Sequence, residues 1–194
     1  MRFRSQCAAY THRSHFRRND ENDIRRSLPH PCLLAVPQHA LAQTPAADRQ
    51  QIEAIVETFR TSIINKDKDS FMTLFLHENI TWSGVTTDAS LEHIYANRKD
   101  PKLPRPPKYF SSNPRKFIEG IARNSARMEE TFENVRIDSD GEVAQVWFDY
   151  NFIEGGEKQN WGKESWQMVR TESGWKIAAV VWSMEFGPPK KTAG

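Results

Sequence analysis

Cysteine is nearly absent from this chain of 194 residues, and neither copy lies past residue 32. Cys7 and Cys32 leave everything beyond without a thiol for a disulfide, a Cys-ligated zinc or nucleophilic attack. A Cys-free region is compatible with any redox compartment. Histidine is almost as scarce there: only His77 and His93 follow residue 42, with no HxxxH or HExxH spacing. Metal binding is therefore not expected, and neither is a cofactor. No GxSxG and no phosphate-cradling glycine loop is present. No apolar run approaches the ~18 residues of a membrane-spanning helix. A basic excess is missing too. The net charge is +2, but residues 1–42 hold seven Arg against three acids, which leaves 20 of the 27 basic and 22 of the 25 acidic residues to the rest. That balance offers no grip on a phosphate backbone and excludes nucleic acid as the natural partner.

Hydrophobic residues make up 38% of the chain, enough for one core, while the mean hydropathy of -0.72 implies that part of it is not packed. Residues 1–42 are that part. They are Arg-rich and end in PCLLAVPQHALA, a short apolar run with small residues at the end. This pattern fits a secretory leader cleaved after Ala42, which would make the protein periplasmic or secreted. Pro37 and His39 interrupt it, and the other reading is a disordered extension, or a start codon assigned too far upstream, on a cytoplasmic protein. The expected domain spans residues 43–187, with 188–194 as a C-terminal tail.

Within it, Thr44-Pro45 reads as a helix cap followed by a first-turn proline, and Ile52, Ile55, Val56, Phe59 and Ile63 recur at helical spacing. Asp67 is placed to cap a short second helix bearing Phe71, Leu74 and Phe75, with His77-Glu78 at its end. Ile80–Ser83 reads as a strand. The segment from Thr86 to Ser112 opens with a possible helical turn and then carries Pro101, Pro104, Pro106 and Pro107, which favour a stiff extended loop. Such a loop could cover a pocket mouth. Asn113-Pro114 repeats the cap-and-proline pattern before Phe117, Ile118 and Ile121. Four strands follow, broken at Ser139-Asp140-Gly141, Gly155-Gly156 and Ser173-Gly174. The expected class is α+β: a cone-shaped barrel with three helices packed on a curved antiparallel or mixed sheet.

Strand alternation then assigns faces. Ala144, Val146, Phe148, Tyr150 and Phe152 form one apolar row, and Trp147, Asp149 and Asn151 stand opposite. On the next strand Gly162, Glu164, Trp166 and Met168 share a face, which puts Glu164 among apolar neighbours. A carboxylate there is functional, with a raised pKa, or paired structurally with Lys176 or Arg170, or turned into water by a one-residue slip of the strand. The last strand is apolar on both sides, Ala178, Val180, Trp182 and Met184 against Ile177, Ala179 and Val181. A second copy, docked sheet to sheet, is the simplest cover for its outer side.

The strand GEVAQVWFDYNF, the hairpin NWGKESWQMVRTESGWKIAAVVWS and the opening FRTSIINKDKDSFMTLFLHENITWSG resemble the nuclear transport factor 2-like superfamily in its SnoaL-like branch, some bacterial members of which carry a "lumazine-binding-like" label. The resemblance spans about residues 47–187 and implies the cone fold with a small-molecule cavity, to which Trp82 and Trp182 would contribute. It does not carry an activity, because the superfamily holds both enzymes and non-enzymes. The catalytic pattern of its ketosteroid isomerases falls here on Phe59, which cannot donate a hydrogen bond, on Ser83, which is no carboxylate base, and near Ser165, within a residue of Glu164, a departure that argues against isomerase activity by that route.

Three functions follow. The first is a dimeric binding module for a small hydrophobic or aromatic molecule, with Trp82, Tyr95, Tyr150, Trp166 and Trp182 around it and Glu164 as polar anchor. The second is a lyase or isomerase using Glu164 or Asp149 as proton shuttle and Tyr150 as donor. The third is a non-catalytic interaction domain whose cone is filled by its own side chains.

Overall fold

Amphipathic periodicity becomes a first helix, α1, over Ala46–Asn65 in the computed structural model, which describes residues 44–187. These lie in one compact unit. The leader with its cleavage site, both cysteines and the tail from residue 188 lie outside the described residues. Ile52, Phe59 and Ile63 of α1 are buried. The helix begins one residue later than the Thr44-Pro45 pattern suggests. Pro45 holds the cap position, and the Thr44 hydroxyl donates instead to the carbonyl of Ile137, 3.1 Å away. Asp67 caps α2, Lys68–Met72, by accepting from Ser70 N at 3.0 Å. This helix stops early, so His77 and Glu78 stand exposed in the following loop rather than at a helix end.

Strand β1, Thr81–Thr86, leads into α3, Asp88–Ala96, a helix of nine residues where the sequence suggests a turn. The prolines then run through an irregular stretch into a three-residue strand, β2, Tyr109–Ser111, which proline had hidden. Asn113 caps α4, Pro114–Arg123, accepting from Lys116 N at 2.8 Å, with Pro114 in the first turn. Four long strands complete the chain: β3 Met128–Ser139, β4 Val143–Glu154, β5 Glu157–Thr171 and β6 Gly174–Met184.

The sheet order is β2-β1-β6-β5-β4-β3. The β1–β6 pair is parallel and the others are antiparallel, so the sheet is mixed and the last strand lies inside it. The inner face packs its aromatic and aliphatic side chains against α1, α2 and α4. Two irregularities redirect side chains. In β6 the register shifts beside Ala178, where Gln167 faces Ala179 but Met168 faces Ile177. The extra residue turns Ile177 inward with Val180, so Ile177 is buried in the core and does not share a face with Ala179 and Val181, as simple alternation implies. In β3 a shift between Glu133 and Arg136 contains Asn134 at φ 54°. Among the described residues no helix is long and apolar enough to cross a membrane.

Candidate functional site

Between the inner sheet face and helices α1 and α4 lies a cavity of about 150 Å³. Its deep wall is made by Phe59, Trp82, Glu130, Tyr150 and Glu164, all buried. Phe117, Phe152, Asn160, Trp182 and Met184 complete it and are half-buried. Two of the four helices and every strand except β2 supply a side chain. The aromatics contact one another around the hollow. Trp82 lies 5.6 Å from Trp182 and 5.4 Å from Phe117, and Phe117 lies 6.2 Å from Phe152. Such tilted and edge-to-face contacts hold the rings in fixed orientations.

Glu164 sits where alternation on β5 puts it, inward and 5% exposed, in register between Phe148 and Trp182. The structural ion pair considered for it does not form. Lys176 donates to the carbonyl of Thr73, and Arg170 pairs with the buried Asp48 at the start of α1. Glu164 instead accepts from the indole N–H of Trp166, 2.5 Å from Oε1. Burial pushes its pKa up to about 7, against the smaller lowering pull of that hydrogen bond. Glu130 is a second buried acid, 4% exposed, and accepts no hydrogen bond from any described residue. Burial, then the charge of Glu164, pushes its carboxyl well above the ordinary range. The two titrate as a pair that resists carrying two charges. The sequence reading missed Glu130. Its place between Met128 and Phe132 was the available signal.

Tyr150 reaches the cavity wall with its hydroxyl already engaged. The oxygen lies 3.0 Å from the carbonyl of Ser183 and 3.1 Å from Oδ1 of Asn160. Burial, then the neighbouring acids, raises its pKa. It therefore stays protonated, with its single proton directed at those acceptors rather than at a guest. The Ser183 carbonyl can enter only because residue 162 is glycine: a Cβ there would lie 2.1 Å from that oxygen.

The remaining expected site residues are dispersed. Trp166 is fully buried and supports Glu164 without lining the cavity. Tyr95 lies on α3, outside the cavity, under the guanidinium of Arg98 at 3.8 Å. Asp149 stands on the opposite face, paired with Lys163 and accepting from Asn134 Nδ2 at 2.7 Å. Those partners, Lys163 first, hold its pKa below the usual carboxylate value. The proline loop lends no residue to the cavity. It delivers Phe110, whose ring sits 5.5 Å from that of Trp182 and over Gly84. Two larger depressions, about 400 and 260 Å³, are surface grooves near the β3–β4 turn, with Trp147 of the smaller one as their sole aromatic lining residue. Among the described residues no three His, Cys, Asp or Glu side chains converge as metal ligands would.

No family model matches the sequence, and no curated protein matches it. Solved structures do. A nuclear transport factor 2-like superfamily protein from Salmonella enterica serovar Typhimurium is 17% identical, with a TM-score of 0.51 over 76% of this chain and 98% of its own. An NTF2-like protein with a cystatin-like fold from Novosphingobium aromaticivorans is 10% identical, with a TM-score of 0.51 over 74% of this chain and 85% of its own. A Nostoc punctiforme protein of unknown function with a cystatin-like fold is 9% identical, with a TM-score of 0.50 over 76% of this chain and 98% of its own.

Proposed function

We propose that this domain of nuclear transport factor 2-like, cystatin-like fold is a small-molecule-binding protein of the SnoaL-like type, taking a compact, largely apolar guest against Trp82 and Trp182 with Glu164 as its polar anchor. One observation carries the reading: a hollow walled by aromatic rings keeps two carboxyls buried in it. Stability alone gives no reason to retain such acids, since an apolar residue of similar size costs less to bury. The volume limits the guest. A dry cavity of about 150 Å³ accommodates benzene, whereas drug-sized pockets run to roughly 300–1,000 Å³. The enclosed part of the guest is thus about one ring. Native mass spectrometry of protein isolated from its own host tests this. The expected result is a retained small molecule that Trp182→Ala loses. No retained mass, together with no change of tryptophan emission on adding single-ring compounds, would sink the reading.

A second reading is favoured by one specific feature. A carboxyl poised near neutrality beside a cavity suits acid–base work, so a lyase or isomerase with Glu164 as proton shuttle fits the same hollow. Asp149, across the sheet, has no part in that version. A non-catalytic interaction domain is the weaker reading, because the cone is not filled by its own side chains. We further propose a homodimer through the outer sheet face, where Trp147 and Val181 belong to one row with Ser83 and Ser165.

A further inference from the structure

Glu130 and Glu164 together present four carboxyl oxygens, and only Oε1 of Glu164 accepts a hydrogen bond from a described residue. No Lys, Arg or His lines the cavity. The Trp166 N–H is spent on Glu164 and the Tyr150 hydroxyl on Ser183 and Asn160. The site is therefore rich in acceptors and poor in donors. We infer that the cavity is built for a small organic cation, an ammonium- or amidinium-bearing molecule of about one ring, whose charge lies between Glu130 and Glu164 and whose hydrocarbon rests on Trp82, Phe117 and Trp182. This rests on the small-molecule reading above and names the ligand class.

An ammonium brings three donors to the free oxygens. Its charge relieves the cost of two desolvated acids, and the indole faces attract it further. A neutral guest relieves neither carboxylate, and an anion adds a third like charge. Binding is also linked to protons. The titratable groups facing the site are Glu130 from β3, Tyr150 from β4 and Glu164 from β5, with Glu185 following β6 acting on Tyr150. Helices α1 and α4 add only Phe59 and Phe117. The empty site holds protons near neutral pH, and a bound cation expels them, so affinity rises as pH climbs through about 7.

The test uses the full chain and three matched probes: benzylamine, benzyl alcohol and benzoate. Each is titrated by calorimetry in two buffers of different ionisation enthalpy, with tryptophan fluorescence as a second readout. At about pH 8 benzylamine is expected to bind about tenfold or more tighter than benzyl alcohol. It should release protons, and its advantage should shrink at about pH 5.5, where the acids are neutral. The advantage should vanish in the Glu130→Gln, Glu164→Gln double variant, which should melt no lower than wild type. If benzyl alcohol or benzoate binds as tightly as benzylamine in the wild-type chain, the cation assignment is overturned while the pocket survives. If none of the three binds, both fall.

Discussion

Glu164 links the chemistry of the site to the stability of the fold. An acid whose pKa rises on folding holds more protons when folded than when unfolded, so stability falls as pH increases. The fall begins above the ordinary value of 4.5 and is complete once pH passes about 7. At about 1.4 kcal/mol per pKa unit this amounts to roughly 3 kcal/mol, and Glu130 acts in the same direction. Urea unfolding at about pH 5 and about pH 8 should therefore show the wild type weaker at the higher pH. Glu164→Gln should remove much of that difference and gain stability on the alkaline side. An unchanged pH profile in the variant would mean that the carboxyl is not held neutral. Glu164 was legible in the sequence because β5 alternates cleanly. Glu130 was not. Counting back by twos from the buried Ile137 places Glu129 and Thr131 inward, and only the irregularity around Asn134 shifts the phase to Glu130.

At the scale of elements, two glycines make opposite predictions. Gly162 lets the Ser183 carbonyl approach, and Gly162→Ala forces β5 and β6 apart where Tyr150 is anchored. The expected loss is about 1–3 kcal/mol. Gly120 lies within α4, where an added Cβ meets nothing within 4 Å, so Gly120→Ala should gain about 0.5–1 kcal/mol. Thermal melts of the two variants should move in opposite directions, and a loss at Gly120 would contradict the open helix face. Legibility at this scale follows locality. Asp67 and Asn113 were readable as caps because each bonds a backbone N–H three residues away. Thr44 carries the same local pattern, but its hydroxyl answers to Ile137 on a distant strand. Strand β2 follows four prolines and pairs with β1 across that gap, so nothing adjacent announces it.

The molecule as a whole presents a second surface that is less polar than its position implies. Val181 is 42% exposed on the outer sheet face, in the row that runs from Ser83 through Ser165 to Trp147. If a second copy covers this row, Val181→Asp buries an unpaired carboxylate in the interface and should weaken the dimer at least about tenfold. Light scattering after size exclusion reads this directly, and a wild type that stays monomeric at micromolar concentration rules the pairing out. The α+β class and the inner face of β4 were legible because helix and strand periods differ so plainly. The parallel β1–β6 pairing was not, since no residue pattern within either strand names a partner so remote in the chain. That pairing has a consequence for biosynthesis. The strand joining β1 to the rest of the sheet is the last of its six strands in chain order. A nascent chain short of it holds Trp82 on one segment and both glutamates on another, so the cavity walls cannot come together before β6 has left the exit tunnel.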